Sequence, residues 1–175
     1  MKPNEYQNRA RTTAIYPGHL TYPALGLCGE AAELMEVWTE YGVGSGTDIV
    51  KEAGDVMWYV ANLAMDASLS FQEILGEDKW PVTGAVWTVN ETFMDLCIMA
   101  GKVAENVKKT MRDTDGVLST QRRENIKHFL RKILHMLAEI LAGEGVKMKK
   151  AAKINIKKLT DRAARNALKG DGDNR

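Results

Sequence analysis

Apolar residues fall three and four positions apart in segment after segment, with no sustained two-residue alternation. That periodicity confines the chain to helices. Over 21–41 the stripe is Leu25, Cys28, Ala32, Met35 and Trp38. In the next segment, to about residue 67, it is Val56, Tyr59, Val60 and Leu63, with Thr47 or Asp48 placed to cap the helix. Further helices are predicted over 4–14, 90–111, 119–141 and 146–165. Ser70-Phe71-Gln72-Glu73 fits a capping box that opens a short one. Gly-rich or Pro-rich stretches at 42–46, 76–89, 113–116 and 143–145 read as loops, and 169–175 as an unpacked tail. The predicted fold class is all-α, a helical bundle.

A chain of 175 residues, 45% apolar and 27% charged, can bury a real core and does not have the composition of a disordered one. The longest uncharged apolar run, 56–65, is too short to span a bilayer. No apolar segment follows the first charged residues, so no secretory signal is expected. Cys28 and Cys97, far apart in apolar surroundings, read as buried free thiols of a reducing compartment. A cytoplasmic protein with no membrane partner is the expectation.

The net charge of +1 hides a division. Residues 1–78 carry four Lys/Arg against twelve Asp/Glu, and residues 79–175 carry twenty against eleven. An acidic half suits hard cations and a basic half attracts phosphates; two helical faces that attract one another on packing is the plainer alternative. Nucleic-acid binding is disfavoured, because the basic residues alternate with Leu, Ile and Met at helical spacing rather than lying beside exposed aromatics. The two halves also share a pattern. A shift of 72 sets Leu27–Glu33 on Met99–Glu105, and a shift of 77 sets Val56–Leu63 on Ile133–Ile140, with apolar positions in phase. The charged positions diverge: Glu30 matches Lys102, Glu52 matches Phe129 and Asp55 matches Lys132. Residues 1–78 then read as one unit and 79–175 as a degenerate second unit plus tail, packed together as a pseudo-dimer.

Chemistry concentrates in the first half. Glu30 and Glu33 lie at i, i+3, so both project from one helix face, and Glu52 and Asp55 repeat the spacing on the next helix. The eighteen intervening residues allow the second helix to run back antiparallel, so four carboxylates converge. Four negative charges so close repel strongly, and a divalent cation resolves the repulsion. All-oxygen ligands favour Mg²⁺, Mn²⁺ or Ca²⁺ over zinc. Gly29, Ala31, Ala32, Ala53 and Gly54 leave space beside them. A ferritin-like di-iron site would need Glu-x-x-His pairs, and no histidine follows a glutamate by three.

Four sequence blocks carry a resemblance. They are Glu5-Tyr6-Gln7; Ala24-Leu25-Gly26-Leu27-Cys28-Gly29-Glu30-Ala31-Ala32-Glu33-Leu34; Lys51-Glu52-Ala53-Gly54-Asp55-Val56-Met57-Trp58-Tyr59; and Asn155-Ile156-Lys157-Lys158-Leu159 with Arg162. The ending Gly170-Asp171-Gly172-Asp173-Asn174-Arg175 adds to them. Together they make the chain similar to the MazG-like nucleoside triphosphate pyrophosphohydrolases, within the all-α NTP-pyrophosphatase superfamily that includes dimeric dUTPases and dCTPases. The resemblance covers 4–75 and 151–175; the stretch 76–150 departs from it, where a short MazG-like chain has no counterpart. It implies a MazG-type bundle in which Glu30, Glu33, Glu52 and Asp55 hold Mg²⁺, with Mn²⁺ as a substitute. It also implies cleavage of a (deoxy)nucleoside triphosphate between the α and β phosphates, in nucleotide-pool control or house-cleaning. Glu33 is the implied general base. Tyr59 could stack on the nucleobase, Trp38 or Trp58 could wall the pocket, and Asn62 could contact sugar or base or else bond backbone. Lys158, Arg162, Arg165 and Asn155 would lie on the triphosphate side, with Lys102 as a clamp from the second half. Homo-oligomerisation stays open. The competing class is a non-enzymatic helical adaptor or nucleotide-binding regulator, indifferent to loss of Glu30 or Asp55.

Overall fold

The computed structural model describes residues 1–42, 46–83 and 89–169. Among these residues it is all-α, with seven helices and no strand: α1 (Pro3–Arg11), α2 (Thr21–Tyr41), α3 (Thr47–Asp66), α4 (Phe71–Leu75), α5 (Val89–Thr114), α6 (Thr120–Gly143) and α7 (Met148–Ala164). Residues 43–45 and 84–88 of the expected loops, and 170–175 of the expected tail, lie outside the described residues.

Local chemistry sets most helix ends. Pro3 occupies the first turn of α1, where its missing N–H costs nothing, and Glu5 accepts from the Lys2 amide at 3.2 Å. The helix stops at Arg11, a turn earlier than its pattern predicts. Thr12 and Thr13 turn their hydroxyls back onto the Arg9 and Ala10 carbonyls, each at 2.8 Å, which competes with continuing the ladder. The expected box at α4 forms: the Glu73 amide donates to Ser70 Oγ at 3.1 Å and the Ser70 amide to Glu73 Oε2 at 2.8 Å. Ser119 caps α6 with its side chain alone, its Oγ accepting from the Arg122 amide at 3.3 Å. At α3 neither Thr47 nor Asp48 is the cap. The capping position is Gly46, in the left-handed region at φ 40°, and its amide donates to Glu144 Oε2 at 3.2 Å.

The core stripe of α2 also differs from the sequence reading. Ala24, Leu27, Ala31 and Leu34 are the buried positions, while Leu25 is 67% exposed and Ala32 lies on the surface. The reason is that α2 packs on both α3 and α5. Its apolar surface is therefore broad, and a single stripe has no unique phase. Cys28, Met35 and Trp38 are half-buried against that packed surface rather than central to it. Cys97 donates to the Ala31 carbonyl, and Trp38 stacks on Phe93 with ring centres 5.1 Å apart. Both cysteines are free and half-buried, rather than fully buried as expected.

Two hairpins organise the bundle: α2 packs on α3 and α5 on α6, and the pairs join through α2 on α5 and α3 on α6. The short helices follow the same exchange, α7 packing on α3 and α4 on α6. α1 crosses α3 and touches both α4 and α7. Leu27, Leu34, Val56, Leu63, Leu130 and Leu134 form part of one continuous core shared by both halves. No described helix is long and apolar enough to cross a membrane.

Candidate metal centre

The α2–α3 hairpin brings three of the four predicted carboxylates together. Glu30 and Glu33 of α2 and Glu52 of α3 each offer an oxygen within 4.8 Å of the other two. Glu30 and Glu52 are half-buried and Glu33 is exposed. Burial comes first among the causes that push Glu30 up to about 8; the charges of Asp55, Glu33 and Glu52 add to it, and Lys158 offsets part. An isolated carboxyl in water would sit several units lower. The cluster thus stores electrostatic repulsion that hard-oxygen coordination of a divalent cation would relieve, so the residues present fit such an ion.

The fourth carboxylate behaves differently from the expectation. Asp55 is not part of the three-oxygen cluster, because both its oxygens are held from α7. Asn155 donates to Oδ1 at 3.0 Å and Lys158 donates to Oδ2 in a close ion pair whose side chains are each 16% exposed. Asn155 is itself positioned by Tyr6, whose hydroxyl donates to Asn155 Oδ1 at 2.9 Å. Burial, then the Asp55 charge, raises the Tyr6 phenol well above its usual range, so it remains a donor. A chain of bonds therefore runs from α1 through α7 to the carboxylate on α3. Gly54 permits it: a Cβ there would lie 3.0 Å from Asn155 Cβ.

Tyr59 lies beside the cluster. Burial comes first among the causes raising its phenol, a hydrogen bond with Tyr22 follows, and the Glu30 and Asp55 charges contribute. Its ring packs against Gly26 so closely that any Cβ at that position would overlap it. Tyr22, which the sequence reading did not single out, continues the aromatic surface: its ring centre is 6.1 Å from Tyr59 and 4.5 Å from a stacked Tyr16. Tyr22 remains 49% exposed. Its sequence signal was its position two turns before Glu30, with Gly26 between them.

Other predicted residues are placed elsewhere. Asn62 is fully buried; its amide donates to the Trp58 carbonyl at 3.0 Å and its oxygen accepts from Arg11 at 3.4 Å. The backbone alternative is the one observed. Trp38 is turned toward α5, donating to Asn90 Oδ1 at 2.7 Å. Trp58 donates to Thr13 Oγ1 at 2.9 Å. Lys102 lies exposed on α5; among the described residues no ion pair or side-chain hydrogen bond joins it to the cluster, and the cation whose charge reaches Glu30 is Lys158. Arg162 is buried on α7, and Arg165 is exposed with its Nε donating to the Asp161 carbonyl.

Fold and site together define an all-α protein with a carboxylate cluster between two helices. The Gene 37 protein of Mycobacterium phage L5 is 33% identical over 82 residues, which are 47% of this chain and 72% of that protein. The chain belongs to the family of that phage protein. Neither a family model nor a solved structure matches it.

Proposed function

We propose that the chain is a Mg²⁺-dependent nucleoside triphosphate pyrophosphohydrolase of the MazG-like type, acting in the cytoplasm on nucleotide pools. The observation that supports this reading most is the meeting of Glu30, Glu33 and Glu52 within 4.8 Å, beside an Asp55 already fixed by a lysine. Glu30, Glu33 and Glu52 would hold the metal, with Asp55 next to them; Mn²⁺ has the same preference for oxygen ligands. When bound, the ion supplies charge neutralisation for phosphate oxygens and acidifies a bound water.

The chain's own residues account for the remaining demands. Glu33, the exposed carboxylate of the three, would accept the proton of the attacking water. Water oxygen bonds to the α phosphorus, the α–β bridging bond breaks, and pyrophosphate leaves with the bridging oxygen. Lys158 sets a positive charge beside the acidic cluster, which lowers the repulsion an incoming triphosphate meets. Tyr22 and Tyr59, their rings tilted 39° to one another, offer aromatic faces for a nucleobase. The exchange pattern of the helices supports reading α2–α4 and α5–α7 as two fused copies, of which the first keeps the carboxylates.

Incubation with each (deoxy)nucleoside triphosphate and Mg²⁺ should release pyrophosphate. In ¹⁸O-water the label should enter the monophosphate and not the pyrophosphate. Orthophosphate as the primary product, or no turnover of any triphosphate, would refute the reading.

A further inference from the structure

Asp55 is held at its two oxygens by donors of different kinds. Oδ1 accepts from the Asn155 amide at 3.0 Å, and the Asn155 oxygen in turn accepts from the Tyr6 hydroxyl at 2.9 Å. Tyr6 and Asn155 are both buried, so neither can turn away without stranding a polar group. Oδ2 pairs with the Lys158 ammonium. That ammonium ends a four-carbon stem with freely rotating bonds, and the side chain keeps 16% of its surface exposed. Lys158 also stands at the edge of α7: Ile154, one turn before it, is 38% exposed, and Asp161, one turn after it, is exposed as well. Rotation of the stem carries the ammonium into water while the helix stays in place.

The pair sits where a cation is in demand. Asp55 follows Glu52 by one turn on α3, and Glu52 meets Glu30 and Glu33 within 4.8 Å. Lys158 is thus a cation that the chain itself supplies beside its acidic cluster. An ammonium brings a single charge and donates through N–H bonds, so it cannot draw several carboxylate oxygens into one shell. A divalent cation brings twice the charge and takes about six oxygens or more. Of the two Asp55 oxygens, the one held by the flexible lysine is the one that can be given up.

Resting on the reading of the cluster as a metal centre, we propose that Lys158 is an internal counter-ion that a divalent cation displaces. As such an ion binds, the ammonium releases Asp55 Oδ2 and swings to the α7 surface. Asp55, still oriented at Oδ1 by Asn155, changes from the partner of a lysine into a fourth ligand. The two cations cannot share one oxygen, because like charges that close repel strongly where water is scarce. The exchange gives the chain two states. Without metal, α7 is tied to α3 through Lys158 as well as Asn155, and part of the hairpin's repulsion is neutralised. With metal, all four carboxylates serve one ion and a mobile ammonium stands at the edge of the site. A permanent brace between α7 and α3 is the competing role, and it would keep Lys158 in place whatever the cluster holds.

Amine acetylation of the full chain, mapped by mass spectrometry, follows Lys158 directly, and electron paramagnetic resonance counts bound Mn²⁺ in the same samples. In chelator, Lys158 should react severalfold more slowly than Lys153, which is exposed on the same helix. Saturating Mn²⁺ should raise the Lys158 rate severalfold and leave Lys153 unchanged. Asp55→Asn should react more readily at Lys158 than wild type before any metal is added, bind Mn²⁺ more weakly and show no further rise. Glu52→Gln should lose both the Mn²⁺ and the Lys158 response. Lys158→Gln should bind Mn²⁺ about tenfold tighter than wild type, because the competing cation is gone. Mn²⁺ bound with Lys158 as slow as in chelator, or with wild-type affinity in Lys158→Gln, would overturn the exchange and leave the metal reading standing. No Mn²⁺ on wild type or on Lys158→Gln would overturn both.

Discussion

Replacing Glu30 by glutamine removes the charge that the α2–α3 hairpin tolerates least. In the native protein this carboxyl is held at about 8 by burial and by three neighbouring carboxylates, whereas unfolded it returns to about 4.5. A group whose native pKa is raised contributes stability that is complete below the unfolded value and is lost as pH climbs through the folded one. Wild type without metal should therefore lose stability between about pH 4.5 and 8. A carboxyl moved that far corresponds to at most about 5 kcal/mol between its two protonation states. Water reaching the cluster beside exposed Glu33 screens part of this, so a difference of about 2 kcal/mol is the expected readout. The assay is urea unfolding in chelator at pH 5 and pH 9, for wild type and Glu30→Gln. Wild type should be weaker at pH 9 by that margin relative to the variant, and added Mg²⁺ should restore wild type alone. Parallel pH profiles for the two proteins, or equal Mg²⁺ protection of both, would refute the reasoning.

Glu33→Gln should abolish pyrophosphate release while leaving the helical circular dichroism unchanged; turnover near the wild-type rate would remove Glu33 as the base. Lys158→Met should cost about 3 kcal/mol in thermal or urea unfolding, because it strands a carboxylate that is only 16% exposed; adding Asp55→Asn should recover part of the loss. Gly26→Ala should destabilise by about 1–3 kcal/mol, since its methyl overlaps the Tyr59 ring. Gly29→Ala, one turn on, meets nothing within 4 Å and should be neutral or stabilise by up to about 1 kcal/mol.

The fold was largely legible because helix signals are local. The spans of α2, α6 and α7, the Ser70 box and the absence of strands among the described residues all rest on residues within a few positions of one another. The misplacements have the opposite character. The stripe on α2 was out of phase because two partners, α3 and α5, share that helix. The end of α1 was set by two threonine hydroxyls that an apolar pattern does not register. At the site, i, i+3 spacing found Glu30, Glu33 and Glu52. It could not reveal that Asp55 is committed to Asn155 and Lys158, a hundred residues further along the chain. Asn62, the one polar residue in an apolar run, left a sugar or base contact and a backbone bond equally open, and the backbone bond is the one formed. Lys102 rested on an alignment of two halves, which fixes a position along a helix but not nearness to a cluster on another hairpin.

The bonds from Tyr6 through Asn155 to Asp55 carry a consequence for biosynthesis. A nascent chain emerges from its first residue onward at roughly 5–20 residues per second, and α1, α2 and α3 are all available before α5 exists. Asp55 nonetheless waits for residues 155 and 158 to receive its partners. Until then the acidic hairpin lacks the nearby lysine that offsets its repulsion, and Tyr6 lacks its Asn155 acceptor. Completion of the carboxylate cluster is thereby tied to the final helix docking on α3. A ribosome stalled before residue 148 should display a helical chain whose cluster is still unassembled, and pulse proteolysis of stalled complexes should find the α2–α3 hairpin protected only once α7 has cleared the exit tunnel.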